Sequence, residues 1–515
     1  MTTRRAEPHA DRPVHNQVRV AASVRTQSGR APVLKRIGVQ LAVVEGGIVM
    51  VVVALLVALH AVWPAAQAGL ELAVAAALGL FAIAGLCEAV AAVRAPHPPP
   101  VPNAPVPATT AIIPAYLPNE AALILDTIRC HLQSGPDDLQ LIIAYNTPRP
   151  LSIESDLARI QANEPRVTVL RVEDSQSKAA NVNAALEIAT GEIIAVFDAD
   201  HHPSRGSYER AWRWLANDAD VVQGRCAVRP NPHASRLSRL LELVVMAEIE
   251  QMYTVGHPGR ARVQGFGLFG GSNGFWRASA LKGTGLDPSA LTEDIDASMR
   301  LVRAGGRIVV DPGIMSTELA APSLDALCHQ RLRWAQGWLQ VARRHLFPVI
   351  ADRRLTPHQR IGAAWSFGAG SVLPWVGALP LPITLYDWIF GVRSAWAPIV
   401  GPLYAVGTMS FLVYAGVAYL HASPIARRPR VFGTFLAANF LFYAHLRVAL
   451  VRLGHLHEFV GRTEWRVTPR TADEDQRSVP GAEPVPNRRR WPVSPLPQPA
   501  SVLAGAHSLV EASGQ

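Results

Sequence analysis

Gly191-Glu192-Ile193-Ile194-Ala195-Val196-Phe197-Asp198-Ala199-Asp200-His201-His202-Pro203 is the stretch on which the reading of the fold turns. An apolar run, Ile193 to Phe197, stops abruptly at two carboxylates and two imidazoles. A buried parallel strand delivers polar groups to a cleft in this way, at its C-terminal end. On a continuing strand Asp198 and Asp200, at i and i+2, point to one face. Oxygen ligands so placed suit Mg²⁺ or Mn²⁺, with His201 as a neighbouring donor or a structural imidazole. Taken alone, the pair reads better as a solvated turn before the next helix, since Asp and Pro are common there. Its surroundings decide between the two.

From Thr109 to about Asp311, short β-branched runs alternate with helical stretches. Strands are expected at Thr110–Pro114, Leu139–Tyr145, Val167–Val172, Ile193–Asp198, Asp220–Gln223 and Arg307–Val310, and helices at Glu120–Leu132, Ser177–Thr190, Ser204–Leu215, Leu237–Tyr253 and Glu293–Ala304. Such alternation defines an α/β domain, here 109–320, with a mostly parallel sheet, helices on both faces and ligands at the C-terminal strand ends.

The chain is 515 residues long and 49% hydrophobic, with a mean hydropathy of +0.15, which is too apolar for an ordinary soluble enzyme of this size. Ile37–Trp63 and Leu70–Val93 are each long enough to span a bilayer, so residues 37–95 are expected to form two transmembrane helices. Before them lies a basic tail, 1–36, carrying Arg4, Arg5, Arg12, Arg19, Arg25, Arg30, Lys35 and Arg36, read as disordered. With that tail inside, the domain that follows the Pro-rich linker 96–108 is cytoplasmic at the inner (plasma) membrane. The formal charge of +9 flanks apolar segments and no nucleic-acid motif accompanies it, which excludes a nucleic-acid partner. Cys87, Cys130, Cys226 and Cys328 have no paired or metal-ligand spacing and are expected as thiols.

Residues 321–350 combine Trp334 and Trp338 with Arg331, Arg333, Arg343 and Arg344, the composition of an amphipathic helix on a membrane surface. Further apolar segments fill 359–453, at Ile361–Phe390, Ala395–Leu420 and Val431–Leu450, and 471–515 is a Pro-rich tail expected to be disordered. Arg427, Arg428 and Arg430 place the loop before the last segment inside, which would send Arg452, Arg462, Arg466 and Arg470 outside, against the positive-inside rule. Either Ile361–Phe390 is re-entrant or doubled, or the last segment does not fully span.

Three further signals join the carboxylate pair. Ser177-Lys178-Ala179-Ala180-Asn181 opens a helix with a cation and small residues, which suits a diphosphate at a helix N-terminus. Thr292-Glu293-Asp294 is a capped helix start, and Gln330-Arg331-Leu332-Arg333-Trp334 lies on the interface helix. Each alone reads better as a solvated helix end, a capping Thr or a surface Arg, because short motifs recur by chance; their order within one domain bracketed by membrane segments is more specific.

In these motifs the chain resembles the membrane-bound family 2 glycosyltransferases, the group of cellulose, chitin, hyaluronan and poly-N-acetylglucosamine synthases. The shared features are the Ile113-Pro114-Ala115-Tyr116 opening with Glu120, the Asp-x-Asp pair, Thr-Glu-Asp and Gln-x-x-Arg-Trp. The resemblance implies a GT-A fold, a nucleotide-sugar donor, usually a UDP-sugar, an Mg²⁺ or Mn²⁺ cofactor and inversion at the anomeric carbon. It implies that Pro114, Tyr116 and Glu120 lie at the nucleoside, Lys178 and Asp198 at the nucleotide, and Asp198 and Asp200 at the metal, with His201 beside them. Asp294 would be the general base; Gln330, Arg333 and Trp334 would meet the diphosphate and the acceptor end. Phe269-Gly270-Gly271-Ser272 looks like the acceptor-contacting loop, which places Gly271 and Ser272 there. Many members end the second strand in Asp, whereas this chain has Ala144-Tyr145-Asn146-Thr147, leaving the base contact to the amide of Asn146.

The chemistry agrees with the resemblance, because sugar transfer needs a neutralised diphosphate and, separately, a carboxylate to take the attacking hydroxyl's proton. The expected function is a processive synthase extending a polysaccharide at the bilayer. Transfer of a single sugar to a lipid carrier or glycolipid, and a membrane scaffold with a degenerate site, are the competing functions. Sugar, linkage and accessory subunit are not encoded in any motif.

Overall fold

The computed structural model describes residues 31–462 except 95, 233 and 393. The expected tail before residue 31, the tail 471–515, and Arg466 and Arg470 lie outside the described residues.

Eight strands form one sheet: β1 (Thr109–Tyr116), β2 (Gln140–Asn146), β3 (Val167–Arg171), β4 (Ile193–Val196), β5 (His202–Pro203), β6 (Val221–Val228), β7 (Gly274–Arg277) and β8 (Ile308–Glu318), in the order β3-β2-β1-β4-β7-β6-β8-β5. The α/β reading holds, but the sheet is mixed, with four of its seven pairings parallel. The antiparallel strand at its centre is β7, four residues that follow a glycine-rich loop and carry no alternation of their own.

Period-two patterning puts neighbouring residues of one strand into opposite layers. Ile112, Ile142 and Ile194 pack under the helices Lys178–Ile188 and Glu293–Arg303, while Ile113, Ile143 and Ile193 pack under Ile124–Ser134 and Ser207–Leu215. Burying each such isoleucine is worth about 1.5–3 kcal/mol, so β1 and β2 are held from both faces. Pro114 is buried within β1, beyond the last residue that pairs with β4, where a missing N–H does not interrupt that ladder. The helix Lys178–Ile188 starts where it does because Ser177 caps it, accepting from Ala180 N at 3.2 Å.

The expected interface helix is Leu324–Ala351, capped by Ser323; much of it is packed, while Arg343, Arg344 and Phe347 stay on an exposed face. Val341, Ala342 and Val349 join the core beneath the sheet, while Cys328 and Leu332 pack with Ile37, Leu450 and Leu453 of the long apolar helices. Arg331, Arg333, Trp334 and Trp338 are part-buried, whereas Arg343 and Arg344 keep to the exposed face. Gly337 marks the closest approach: a Cβ there would lie 2.5 Å from the Thr292 methyl.

Five helices among the described residues are long and apolar enough to cross a membrane: Lys35–Val62, Pro64–Val93, Pro357–Phe390, Ala397–His421 and Pro429–Phe459. The first exposes Met50, Val51 and Leu55, as a lipid-facing helix does. In the last, Val431, Phe432 and Phe435 pack with Val244, Val245 and Ile249 of the helix Arg236–Gln251. At its other end Glu458 accepts from Gln336 at 3.1 Å and from Gln340 at 2.9 Å. Both ends of this helix thus touch elements attached to the sheet domain.

Candidate active site

The site begins where β4 ends. The strand stops at Val196, earlier than expected, and Asp198 to His201 form a turn closed by His201 N donating to Asp198 O at 2.9 Å. The carboxylates are therefore gathered by a turn and not by the pleat of a strand. Ligand atoms of Asp198, Asp200 and His201 all lie within 4.8 Å of one another. Asp200 is fully buried, its Oδ2 accepting from Leu319 N at 3.0 Å and its carbonyl from Arg229 at 2.7 Å. His201 Nε2 lies 3.3 Å from a Glu318 carboxylate oxygen, and Nδ1 faces the Ser316 hydroxyl at 3.2 Å. Two carboxylates and an imidazole, oriented by surrounding polar groups, fit Mn²⁺ or Mg²⁺.

Asp198 also pairs with Lys178, whose ammonium donates to Gly271 O at 2.6 Å. Burial opposes that charge, but Asp198, Glu293 and Asp294 outweigh it and hold the lysine above its ordinary value, so it stays protonated. The loop Phe269–Ser272 is fixed from three sides. Gly270 N donates to Gln223 Oε1 at 2.7 Å, Gln223 Nε2 donates to Ser272 O at 2.9 Å, and Phe269 N donates to Ser298 Oγ at 2.8 Å. Ser272 Oγ in turn accepts from Asp198 N at 3.0 Å. Gly271 has φ +88°, and a Cβ there would stand 2.8 Å from Asp294 Oδ2 and 3.5 Å from Lys178 Nζ, so only glycine fits.

Asp294, in the first turn of Glu293–Arg303, accepts from Ile295 N at 2.9 Å. Burial and then the neighbouring Glu293 push its carboxyl up to about 7; Lys178, the Ile295 N–H and Arg333 pull the other way. A carboxyl so tuned suits proton transfer near neutral pH. Arg333 is part-buried and makes no hydrogen bond or ion pair among the described residues, which leaves its guanidinium available to an anion. Gln330 and Trp334 are part-buried on the same helix, and Trp334 carries the Arg331 guanidinium over its ring at 4.2 Å.

The structure thus brings Lys178, Asp198, Asp200, His201, Gly271, Ser272 and Asp294 together, with Arg333 near enough to act on Asp294. It gives the nucleoside-end residues internal work. Glu120 accepts from Tyr116 N at 2.7 Å, and Asn146 donates to Ser175 O at 3.0 Å while accepting from Asn181 at 2.9 Å. The Asn146 amide therefore braces the approach to the Lys178 helix. Gln223, Arg229, Ser298 and Glu318 belong to the same construction and no motif announced them; Gln223 alone stood at the end of an expected strand.

Residues 107–337 match the family described as "Glycosyltransferase like family 2". Over 179 residues, 34% of this chain, the sequence is 31% identical to a cellulose synthase catalytic subunit (UDP-forming) of Xanthomonas axonopodis pv. citri, covering 24% of that protein. Over 287 residues, 54% of this chain, it is 26% identical to cellulose synthase 2 of Novacetimonas hansenii, covering 17% of it. The chain thus spans about a quarter or less of the length of these relatives. A mannosyltransferase structure from Pyrobaculum calidifontis, in complex with GDP-Man and Mn2+, is 21% identical with a TM-score of 0.47, over 73% of this chain and 99% of that one. The chain carries a family 2 glycosyltransferase domain, homologous to that of cellulose synthase catalytic subunits. That domain is built on a mixed α/β sheet, with apolar helices before and after it in the chain.

Proposed function

We propose that the protein is a membrane-embedded, inverting and metal-dependent glycosyltransferase that takes a sugar from a nucleotide-sugar, in the first instance a UDP-sugar, and extends a polysaccharide processively. The observation that carries this reading is the close approach of Lys178, Asp198, Gly271 and Asp294 to one another, with the Asp294 carboxyl pushed up to about 7. Asp198, Asp200 and His201 would hold the divalent ion, which supplies charge neutralisation of the donor diphosphate.

Lys178 fixes the donor end through Asp198 and the carbonyl of Gly271. The uncommitted Arg333 meets the negative charge that builds on the departing diphosphate. Asp294 accepts the proton of the acceptor hydroxyl as its oxygen bonds to the anomeric carbon, and the bond to the diphosphate breaks on the opposite face, which inverts the configuration. Trp334 offers an indole face to the acceptor sugar. The apolar helices put this chemistry at a bilayer, with the sheet domain on the cytoplasmic side of the inner membrane.

The test is release of nucleoside diphosphate from a panel of nucleotide-sugars by protein in lipid, with excess chelator as control. Release that stops with chelator and returns with Mn²⁺ or Mg²⁺ supports the reading, and full activity in chelator removes the metal from it. Product length separates a processive synthase from transfer of one sugar to a lipid carrier.

A further inference from the structure

Behind the candidate site, three helices meet on one buried carboxylate. Glu248, on Arg236–Gln251, receives Arg331 at 2.7 Å on Oε2, Arg447 at 3.0 Å on Oε1, and the Tyr443 hydroxyl at 2.7 Å on Oε2. Arg331 belongs to Leu324–Ala351, while Tyr443 and Arg447 belong to Pro429–Phe459. Burial works against the Glu248 charge, but the two guanidiniums outweigh it and hold the carboxyl below the ordinary glutamate value. The same Arg331 guanidinium lies 4.2 Å above the Trp334 ring. One face of the indole is therefore covered by a cation whose own position is set by Glu248.

We propose that Glu248 is a positioning residue for the acceptor, holding Arg331 against one face of Trp334 so that the opposite face is presented to the incoming sugar. The inference rests on the reading of Trp334 as part of the acceptor site. A cation on one face of an indole fixes the ring plane. The sugar then stacks on a ring that does not have to be ordered at binding, which lowers the cost of ordering. Because Arg447 and Tyr443 share the carboxylate, the ring plane is also referenced to the last apolar helix. The donor-side contacts run elsewhere: Lys178 bonds Asp198 and Gly271 O, and Asp200 accepts from Leu319 N.

The test uses full-length protein in lipid, with the donor that wild type turns over and oligosaccharides cut from its own product as acceptors. Glu248→Gln keeps the shape of the side chain and loses its charge. It is expected to raise the acceptor KM about ten-fold while leaving the donor KM within about two-fold, since it disturbs one binding partner only. Tyr443→Phe removes a single hydroxyl, leaves every charge in place and keeps the test alive should Glu248→Gln fold poorly; it is expected to show the same split, smaller. A second readout needs no turnover: the indole absorption difference between wild type and Glu248→Gln is expected to vanish in a Trp334→Phe background. Parallel changes in donor and acceptor KM, or an absorption difference that survives Trp334→Phe, overturn the proposal. Wild-type protein inactive with every donor, alongside a Trp334-dependent absorption change, refutes the proposed reaction and leaves the Glu248–Arg331–Trp334 linkage standing.

Discussion

Replacing Asp294 by Asn separates the base from the helix cap, and the structure sets the size and sign of the effects. Burial first and Glu293 second raise the Asp294 carboxyl from 3.8 to about 7. A base must be ionised to work, so wild-type turnover is expected to climb through pH 7. About one-tenth of the plateau is expected at pH 6 and about nine-tenths at pH 8, from the ionised fraction alone. Asn keeps the shape but takes no proton, so the rate is expected to fall on the order of 10² to 10⁴-fold, with donor binding retained through Lys178 and Asp198. Stability moves the other way. The folded protein holds the proton more tightly than the unfolded chain, so wild-type stability falls as pH rises from about 4 to about 7 and is level above that. The Asn variant lacks this loss, and its melting temperature is expected to exceed that of wild type by a margin that grows across that window. Steady-state rates from pH 5 to 9, together with thermal unfolding in lipid at pH 4.5 and 8, measure both. An Asn variant with near wild-type turnover, or a rate profile flat between pH 6 and 8, refutes the assignment.

Four further outcomes follow from named contacts. Arg333→Gln removes a cation that lowers the Asp294 carboxyl, so the midpoint of the rate profile is expected to move to higher pH, while Glu293→Gln is expected to move it lower. Gly271→Ala places a methyl 2.8 Å from Asp294 Oδ2 at φ +88°, and turnover is expected to fall by about a hundred-fold or more, read in the same assay. Gly337→Ala drives a methyl into Thr292 at 2.5 Å and shifts the segment that carries Asp294; kcat is expected to fall with the protein still folded by circular dichroism. Reporters fused after Val93 and after Phe459 are expected to read the same side of the membrane, because both ends of Pro429–Phe459 touch elements attached to the sheet domain; opposite readings reject this topology.

The last of these bears on what could be read before the structure. Hydropathy and length located all five apolar helices, because a bilayer imposes about 20 residues whatever the packing. Arg452, which the positive-inside rule sends outside, pairs with Glu45 at 2.6 Å, a partner far away in sequence that no local pattern announces. Strands β1, β2 and β4 were legible because burial on both faces writes a continuous apolar run. β7 was not: Gly274-Phe275-Trp276-Arg277 is too short to show a period, and its place between β4 and β6 is decided by tertiary pairing. In the site, Lys178, Asp198, Asp200 and Asp294 were visible as motifs. Gln223 and Ser298, which hold the Gly271 loop, were invisible because their roles are hydrogen bonds to backbone groups distant in sequence. Asn146 was legible as a polar residue at a strand end, but its bonds to Ser175 O and from Asn181 within the protein were not.

The measurement that bears most directly on the central claim is the size of the product made by purified protein in lipid vesicles from labelled nucleotide-sugars, Mn²⁺ or Mg²⁺ and nothing else. Label is expected to move from one nucleotide-sugar into a polymer that lengthens with time, and not to do so in the Asp294→Asn protein. Label that never leaves the donor with any nucleotide-sugar tested, or a product equally abundant with Asp294→Asn, would contradict that claim.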